Sequence, residues 1–223
     1  HLNKENIEKR ITDFFAEDYL NWKKSALNAK FKSLKKDVTN LQRSKDSTIK
    51  KAETLTILSK RYNKLKEEYF IRQNDNKVAE FQRQFTDVWG YGITHSLEKV
   101  FRKDFPYKGT LGGIAELSLA RNEREAFQLV LRSKKELKNV RFSIADLTHS
   151  INKTAKISSD QIEILPVGYV KAPKPPYPRH ELEWYPDPLL NFLDSFTLDA
   201  DVWQPVWIDV RSNADTLPGL YQG

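Results

Sequence analysis

Apolar residues in the first third of the chain recur at helical spacing. Leu27, Phe31, Leu34, Val38 and Leu41 are separated by four, three, four and three positions, and Leu55, Leu58, Tyr62, Leu65 and Tyr69 by three, four, three and four. Each set falls on one face of a helix and marks a short coiled-coil seam. A polar run, QRSKDST at 42–48, separates the two seams. No Pro or Gly occurs between Glu5 and Gln84, so nothing in this stretch blocks helix formation. Two amphipathic helices joined by a short connector become neighbours, which predicts an antiparallel helical hairpin. Ile7, Ile11, Phe14 and Phe15 predict an earlier helical stretch, continued by Tyr19, Leu20 and Trp22.

Beyond Phe85 the period changes. Gly and Pro recur, and alternation replaces the three-four spacing. Strands are expected at 115–120, at 125–132, at 139–147, at 161–170 and at 203–211. In the second of these Phe127, Leu129 and Leu131 oppose Gln128, Val130 and Arg132; in the last Val206, Ile208 and Val210 oppose Trp207 and Asp209. Pro166 marks a sheet edge or a bulge in the fourth. Gly112 and Gly113 read as a hairpin turn. Residues 172–188 hold six prolines and read as a long loop or extended arm. The stretch DTLPGLYQG at 215–223 reads as a turn leading into a strand without room to pair. The expected fold is therefore α+β in two parts. A helical hairpin at 1–84 precedes an all-β sandwich at 85–223 that is incomplete at its C-terminal end.

Charge sharpens this division. The chain has 223 residues with 37 Lys and Arg against 30 Asp and Glu, a net charge of +7. Residues 1–100 carry 21 basic and 14 acidic residues, and the rest carries 16 of each, so the whole surplus belongs to the helical part. Residues 23–77 alone hold 16 basic and 6 acidic residues. These cations surround each helix without forming one stripe interleaved with aromatics, which favours a solvated face over a polyanion site. No nucleic acid partner is expected, and no apolar run is long enough to cross a membrane.

Candidate chemistry is sparse. The chain lacks Cys, which excludes disulfides, Cys-ligated zinc and a thiol nucleophile. The four histidines, His1, His95, His149 and His180, are scattered and read as isolated surface or turn residues. No phosphate-binding loop or dinucleotide fingerprint is present, and neither a metal nor a cofactor is expected. Two carboxylate pairs invite comparison with glycosidase chemistry. Glu123 and Glu125 lie on one face of a strand, but Arg121 and Arg124 beside them favour an ion-paired corner. Glu181 and Glu183 adjoin Trp184 and Tyr185, where packing against a neighbouring domain is the favoured reading.

The β part also carries a recognisable series of blocks. The run ELSLARNEREAFQLVL at 116–131 is followed in order by PVGYV at 166–170, YPDPLL at 185–190, QPVWIDV at 204–210 and LPGLYQG at 217–223. Together they resemble the N-terminal β-sandwich of proteins similar to glycoside hydrolase family 123, over about residues 85–223. The DVW at 87–89 and EKV at 98–100 resemble the lead-in to that sandwich. The resemblance implies that a (β/α)8 barrel follows and holds an adjacent Asp-Glu pair. It also implies hydrolysis of β-N-acetylgalactosaminides with the substrate's own acetamido group as nucleophile, a recognised exception to the two-carboxylate scheme. No catalytic residue maps onto this chain, and the helical hairpin departs from the family's compact N-terminus.

Three functions follow as expectations. The first is a non-catalytic accessory domain of an exported hydrolase, located in the periplasm, on the cell surface or outside the cell, whose partner is its own catalytic barrel. There Arg121, Asn122, Glu123, Arg124 and Asp187 would fix corners or face the barrel. The second is a glycan-binding module stacking sugars on Trp184, Tyr185, Trp203 or Trp207, although Trp207 lies mid-strand. The third gives the hairpin alone a spacer or oligomerisation role, since its short seams are marginal by themselves.

Overall fold

The computed structural model describes residues 3–16, 20–103, 105–171 and 184–223. The chain forms two compact units, His1–Gln73 and Asn74–Gly223.

The first unit is helical. Helix α1 spans Lys4–Thr12, α2 spans Asn28–Arg43 and α3 spans Thr48–Gln84. The side chain of Asn3 caps α1 by accepting the Asn6 N–H at 2.7 Å, which satisfies one of the helix's open donors. At the start of α3 the hydroxyl of Ser47 accepts from the Lys50 N–H at 3.4 Å. Helices α2 and α3 run antiparallel, as two cross-helix pairs show: Lys30 with Glu68 at 2.7 Å and Arg61 with Asp37 at 2.8 Å. Their seam buries Leu27, Leu34, Val38, Leu41, Leu55, Leu58 and Leu65, and Ile7 and Ile11 of α1 join the same core. The hairpin expected from the spacing is therefore present, with α1 added as a third helix.

Helix α1 stops before the aromatic residues expected to extend it. Phe14 and Phe15 sit in a turn, and both rings reach Tyr62, at 5.6 and 5.3 Å. Adjacent residues on a continuing helix would diverge by about 100° and only one could reach that ring. Trp22 lies in a 3-10 turn, Trp22–Lys24, where its ring stacks on Phe31 at 4.7 Å. Tyr19 lies outside the described residues.

The second unit begins with the last turns of α3 and continues as β-structure. Its strands are β1 (Trp89–His95), β2 (Thr110–Leu111), β3 (Arg124–Ser133), β4 (Leu137–Val140), β5 (Leu147–His149), β6 (Lys156–Ile157), β7 (Ile162–Lys171), β8 (Trp184–Leu189), β9 (Phe196–Leu198), β10 (Gln204–Arg211) and β11 (Tyr221–Gln222). A six-stranded sheet has the order β2-β1-β3-β10-β7-β8, beside a three-stranded β11-β5-β6 sheet and a β4-β9 pair. All registered strand pairs are antiparallel.

The large sheet is covered on both faces. One face turns Leu131, Ile162, Val206, Ile208 and Val210 onto Ile157 and Leu198 of the smaller sheets, the two-layer core of a sandwich. The other turns Val130 toward a second core of Phe81, Val100, Tyr107, Leu111 and Trp203. Phe81 comes from the end of α3, so this helix end closes the sheet's second face.

Several sequence expectations shift here. Residues 115–120 and 141–146 are extended but belong to no ladder. Leu117, Leu119, Phe142 and Ile144 still pack into the first core. Alternation reports inward-facing side chains, and here they face inward without a hydrogen-bonded neighbour. Gly112 and Gly113 have φ of +66° and +91°, which glycine accommodates without strain. They take the chain out of the sheet after β2 and do not close a hairpin. Pro166 marks the last pair of β7 with β10, and a register irregularity follows between Val167 and Tyr169. The end of the proline-rich stretch is a strand, β8, with Pro186 and Pro188 inside it; residues 172–183 lie outside the described residues. Strand β11 does find a partner, with Tyr221 opposite His149 in β5.

Candidate functional site

A cleft of about 660 Å³ opens beside the β7–β8 end of the large sheet. Val167, Gly168 and Tyr169 contribute at the β7 irregularity, Trp184 from β8, Leu190 and Leu193 from the turn after it, Phe101, Arg102 and Lys103 from the segment after β1, and Phe196, Thr197 and Asp199 around β9. Gly168 matters to this geometry. A Cβ there would lie 2.9 Å from Pro188 and 3.1 Å from Leu190, so its absence lets the end of β8 close against β7. The N–H of Leu190 then donates to the Pro166 carbonyl at 2.9 Å.

The polar groups in the cleft are positioned by backbone. Tyr169 donates its hydroxyl to the Val100 carbonyl at 2.8 Å, and burial pushes its phenol well above the ordinary value of 10.0. It acts as a neutral donor, not as a base. Arg102 lies over the Tyr169 ring at 5.6 Å and pairs with Asp199. Its own carbonyl accepts from the Trp203 N–H at 3.0 Å, which anchors this segment to the start of β10. The Nε of Arg102 is buried without a hydrogen-bond partner. Gln204 donates to the carbonyls of Val167 and Pro205 at 2.9 and 3.0 Å, which ties the two strands under the cleft. Asp199 is the single carboxylate among the described lining residues. With Arg102 holding it, the described lining residues include no acid–base pair of the kind that glycoside cleavage by two carboxylates needs.

The structure separates the four aromatic candidates. Trp184 lines the cleft and is 52% exposed. Tyr185 follows it in β8 and sets its ring against Phe101 at 5.7 Å. Trp207 lies mid-strand in β10, half-buried, opposite Gln128 and Leu165. Trp203 is fully buried at 0% exposure, which removes it as a stacking surface. Its ring packs against Tyr107 at 5.0 Å and Phe81 at 5.8 Å, the Arg132 guanidinium lies 4.8 Å from it, and its indole N–H donates to Asn74 at 3.1 Å. Arg102, Lys103 and Asp199 were not singled out from sequence. They lie in unpatterned connections and reach the cleft only through tertiary packing.

The Arg121–Arg124 corner is dense in hydrogen bonds, with a different wiring from the one expected. Arg121 donates to the Thr216 carbonyl at 3.1 Å, and the Asn122 N–H donates to Asn213 at 3.3 Å from a φ of +59°. Glu123 accepts from the Ala120 N–H and so closes its own turn. Arg124 reaches across the sheet to Asp209 and Glu163, both at 2.9 Å. The cross-strand carboxylates, not Glu123 or Glu125, carry the ion pairs, because the strand register brings them alongside. Asp187 is exposed within β8. Glu181, Glu183 and His180 lie outside the described residues.

His149 departs from the surface reading. It is 5% exposed. Its Nδ1 accepts from the Ile151 and Asn152 N–H groups at 3.1 and 3.0 Å, and its Nε2 faces the Pro218 carbonyl at 3.2 Å. An acceptor at Nδ1 and a donor at Nε2 are the two ends of one neutral tautomer. The ring thereby joins the turn after β5 to the approach to β11. Among the described residues no group of three or more His, Asp or Glu side chains is placed to hold a metal ion.

The family model described as the glycoside hydrolase 123 N-terminal domain matches residues 99–223. The chain belongs to this family. An N-terminal domain of this description implies a catalytic domain elsewhere. The glycoside hydrolase 123 N-terminal match covers the cleft, the Arg121–Arg124 corner and every strand from β2 onward. A solved family 123 glycoside hydrolase from Clostridium perfringens, described in terms of glycolipid glycan hydrolysis, is similar at 19% identity with a TM-score of 0.44. The match covers 60% of this chain and 23% of that one. No curated protein matches the chain. Among the described residues no helix is long and apolar enough to cross a membrane.

Proposed function

We propose that the chain is the non-catalytic leading domain of a hydrolase acting on N-acetylhexosamine-containing glycans, and that its sandwich braces a (β/α)8 catalytic barrel. The observation that carries the bracing role is an apolar surface beside β11. Ile151 is 87% exposed, Leu220 61% and Leu217 41%. Hydrogen bonds join the segments that carry them: the Ser150 N–H donates to the Leu220 carbonyl at 2.7 Å, and Tyr221 donates its hydroxyl to the Leu217 carbonyl at 2.8 Å. Scattered exposed apolar residues are ordinary, but three on segments joined in this way suit a surface that another protein body covers. His149 and the turns it ties together form the rigid base under this patch. The reading also puts the protein outside the cytoplasm, in the periplasm, on the cell surface or beyond it.

The test compares hydrolysis of an aryl β-N-acetylgalactosaminide by the 223-residue chain, by the parent hydrolase, and by the parent carrying Ile151→Lys and Leu220→Lys. The chain alone turns over no substrate, and the doubly substituted parent loses thermal stability. Turnover by the chain alone, or a parent indifferent to both substitutions, overturns the reading.

A further inference from the structure

We propose that the cleft beside Trp184 binds a carboxylated saccharide. This site is separate from the apolar surface of the bracing role and does not depend on it. The Trp184 indole lines the cleft and is 52% exposed on a strand edge, so its ring is open to a ligand. Its backbone is fixed by pairing of Trp184 with Lys171, so the ring is presented at little further ordering cost. Such a face suits the apolar side of a pyranose ring.

The charge beside it selects among sugars. Arg102 and Lys103 face the cleft against the single carboxylate of Asp199. Asp199 pairs with Arg102 and the Tyr169 ring lies beneath the guanidinium, so that cation is oriented before any ligand arrives. Lys103 is exposed and forms no ion pair among the described residues. Among the described lining residues the balance is therefore positive, and a carboxylate on the sugar gains a charge-assisted hydrogen bond that a neutral sugar lacks. A volume of about 660 Å³ falls within the range of small-ligand sites, roughly 300–1,000 Å³.

The experiment presents the 223-residue chain to an array of sialylated, uronic-acid-containing and neutral glycans, then titrates the strongest glycan by tryptophan fluorescence. Carboxylated glycans give the signal, with neutral counterparts weaker by about tenfold. Trp184→Ala abolishes it, and Trp184→Phe retains part of it. Lys103→Glu removes the preference for carboxylated glycans. Both positions are exposed, and circular dichroism checks that the variants fold. No signal on any glycan, equal signal on neutral ones, or undiminished binding by Trp184→Ala overturns the proposal.

Discussion

The helical unit and the β unit bury apolar side chains by different means. The core of the helical unit is built mainly from aliphatic side chains at seam positions, ringed by aromatics. Its two pairs between α2 and α3 are exposed and contribute little, and among its described residues Lys51 alone buries its cation, against Glu8. The β unit instead buries polar groups that each have a specific partner. Arg132 donates to the carbonyl and carboxylate of Asp201 at 2.9 and 3.2 Å while covering Trp203. Gln128 donates to the carbonyls of His95, Ser96 and Glu98 at 3.1, 3.2 and 2.7 Å. One unit rests on a repeated pattern and the other on individual side chains. The first should tolerate substitution by kind, the second should not.

The most severe test replaces one fully buried residue in each. Trp203→Ala removes a ring at 0% exposure, leaves Asn74 without its donor and uncovers the Arg132 guanidinium, so it costs about 3–5 kcal/mol. Leu34→Ala, at a seam position 2% exposed, costs about 2–5 kcal/mol. The contrast appears in the conservative pair. Leu34→Met stays below about 1.5 kcal/mol, whereas Trp203→Phe still orphans Asn74 and costs more. Urea unfolding of the four variants measures this, and equal losses for Leu34→Met and Trp203→Phe would erase the distinction.

A smaller effect is expected at Gly219. Its φ is +152° and a Cβ would overlap the His149 ring. Gly219→Ala should cost about 1–3 kcal/mol of strain and raise amide exchange at Ser150 and Tyr221. Unchanged exchange there would mean that the ring yields without releasing β11.

The mildest comparison sets two half-buried carboxylates side by side. The Lys30 ammonium holds Glu68 below its ordinary 4.5. The Ser159 N–H, ahead of Lys156, holds Asp146 below its ordinary 3.8. Both folded pKa values lie below the unfolded ones. Each contribution is therefore present above the unfolded carboxylate pKa and lost as the pH falls through the folded value. Salt screens the lysine pair more than the backbone hydrogen bond. Carboxyl titration by NMR at low and high salt should return Glu68 toward its ordinary value and leave Asp146 depressed. Equal shifts would contradict the assigned causes.

Much of this contrast was visible in the residues. The three-four spacing of Leu27 through Tyr69 placed the seam correctly because a helix meets its neighbour through a repeating face. Strands β3, β7 and β10 were legible because they are long, at ten, ten and eight residues, and rich in apolar positions that the sheet buries. Residues 115–120 and 141–146 misled because alternation reports side-chain burial and carries no information on backbone pairing. Trp184 was legible as an aromatic beside prolines. Trp203 was not legible as core, because its burial depends on Phe81, more than a hundred positions earlier. The cleft's cations sit in connections with no periodicity, so only the folded chain brings Arg102 to Asp199.

The two rims of the large sheet have a consequence for the protein at high concentration. One rim is β2, only two residues long, and the other is β8, which carries Pro186 and Pro188. A proline lacks the N–H that an incoming strand would accept, and a two-residue strand offers almost no template. Among the described residues both rims of this sheet thus offer little to strand-by-strand growth. Copies crowded together gain little by adding strands at these two rims, which lowers the tendency of this sheet to extend from one copy into the next.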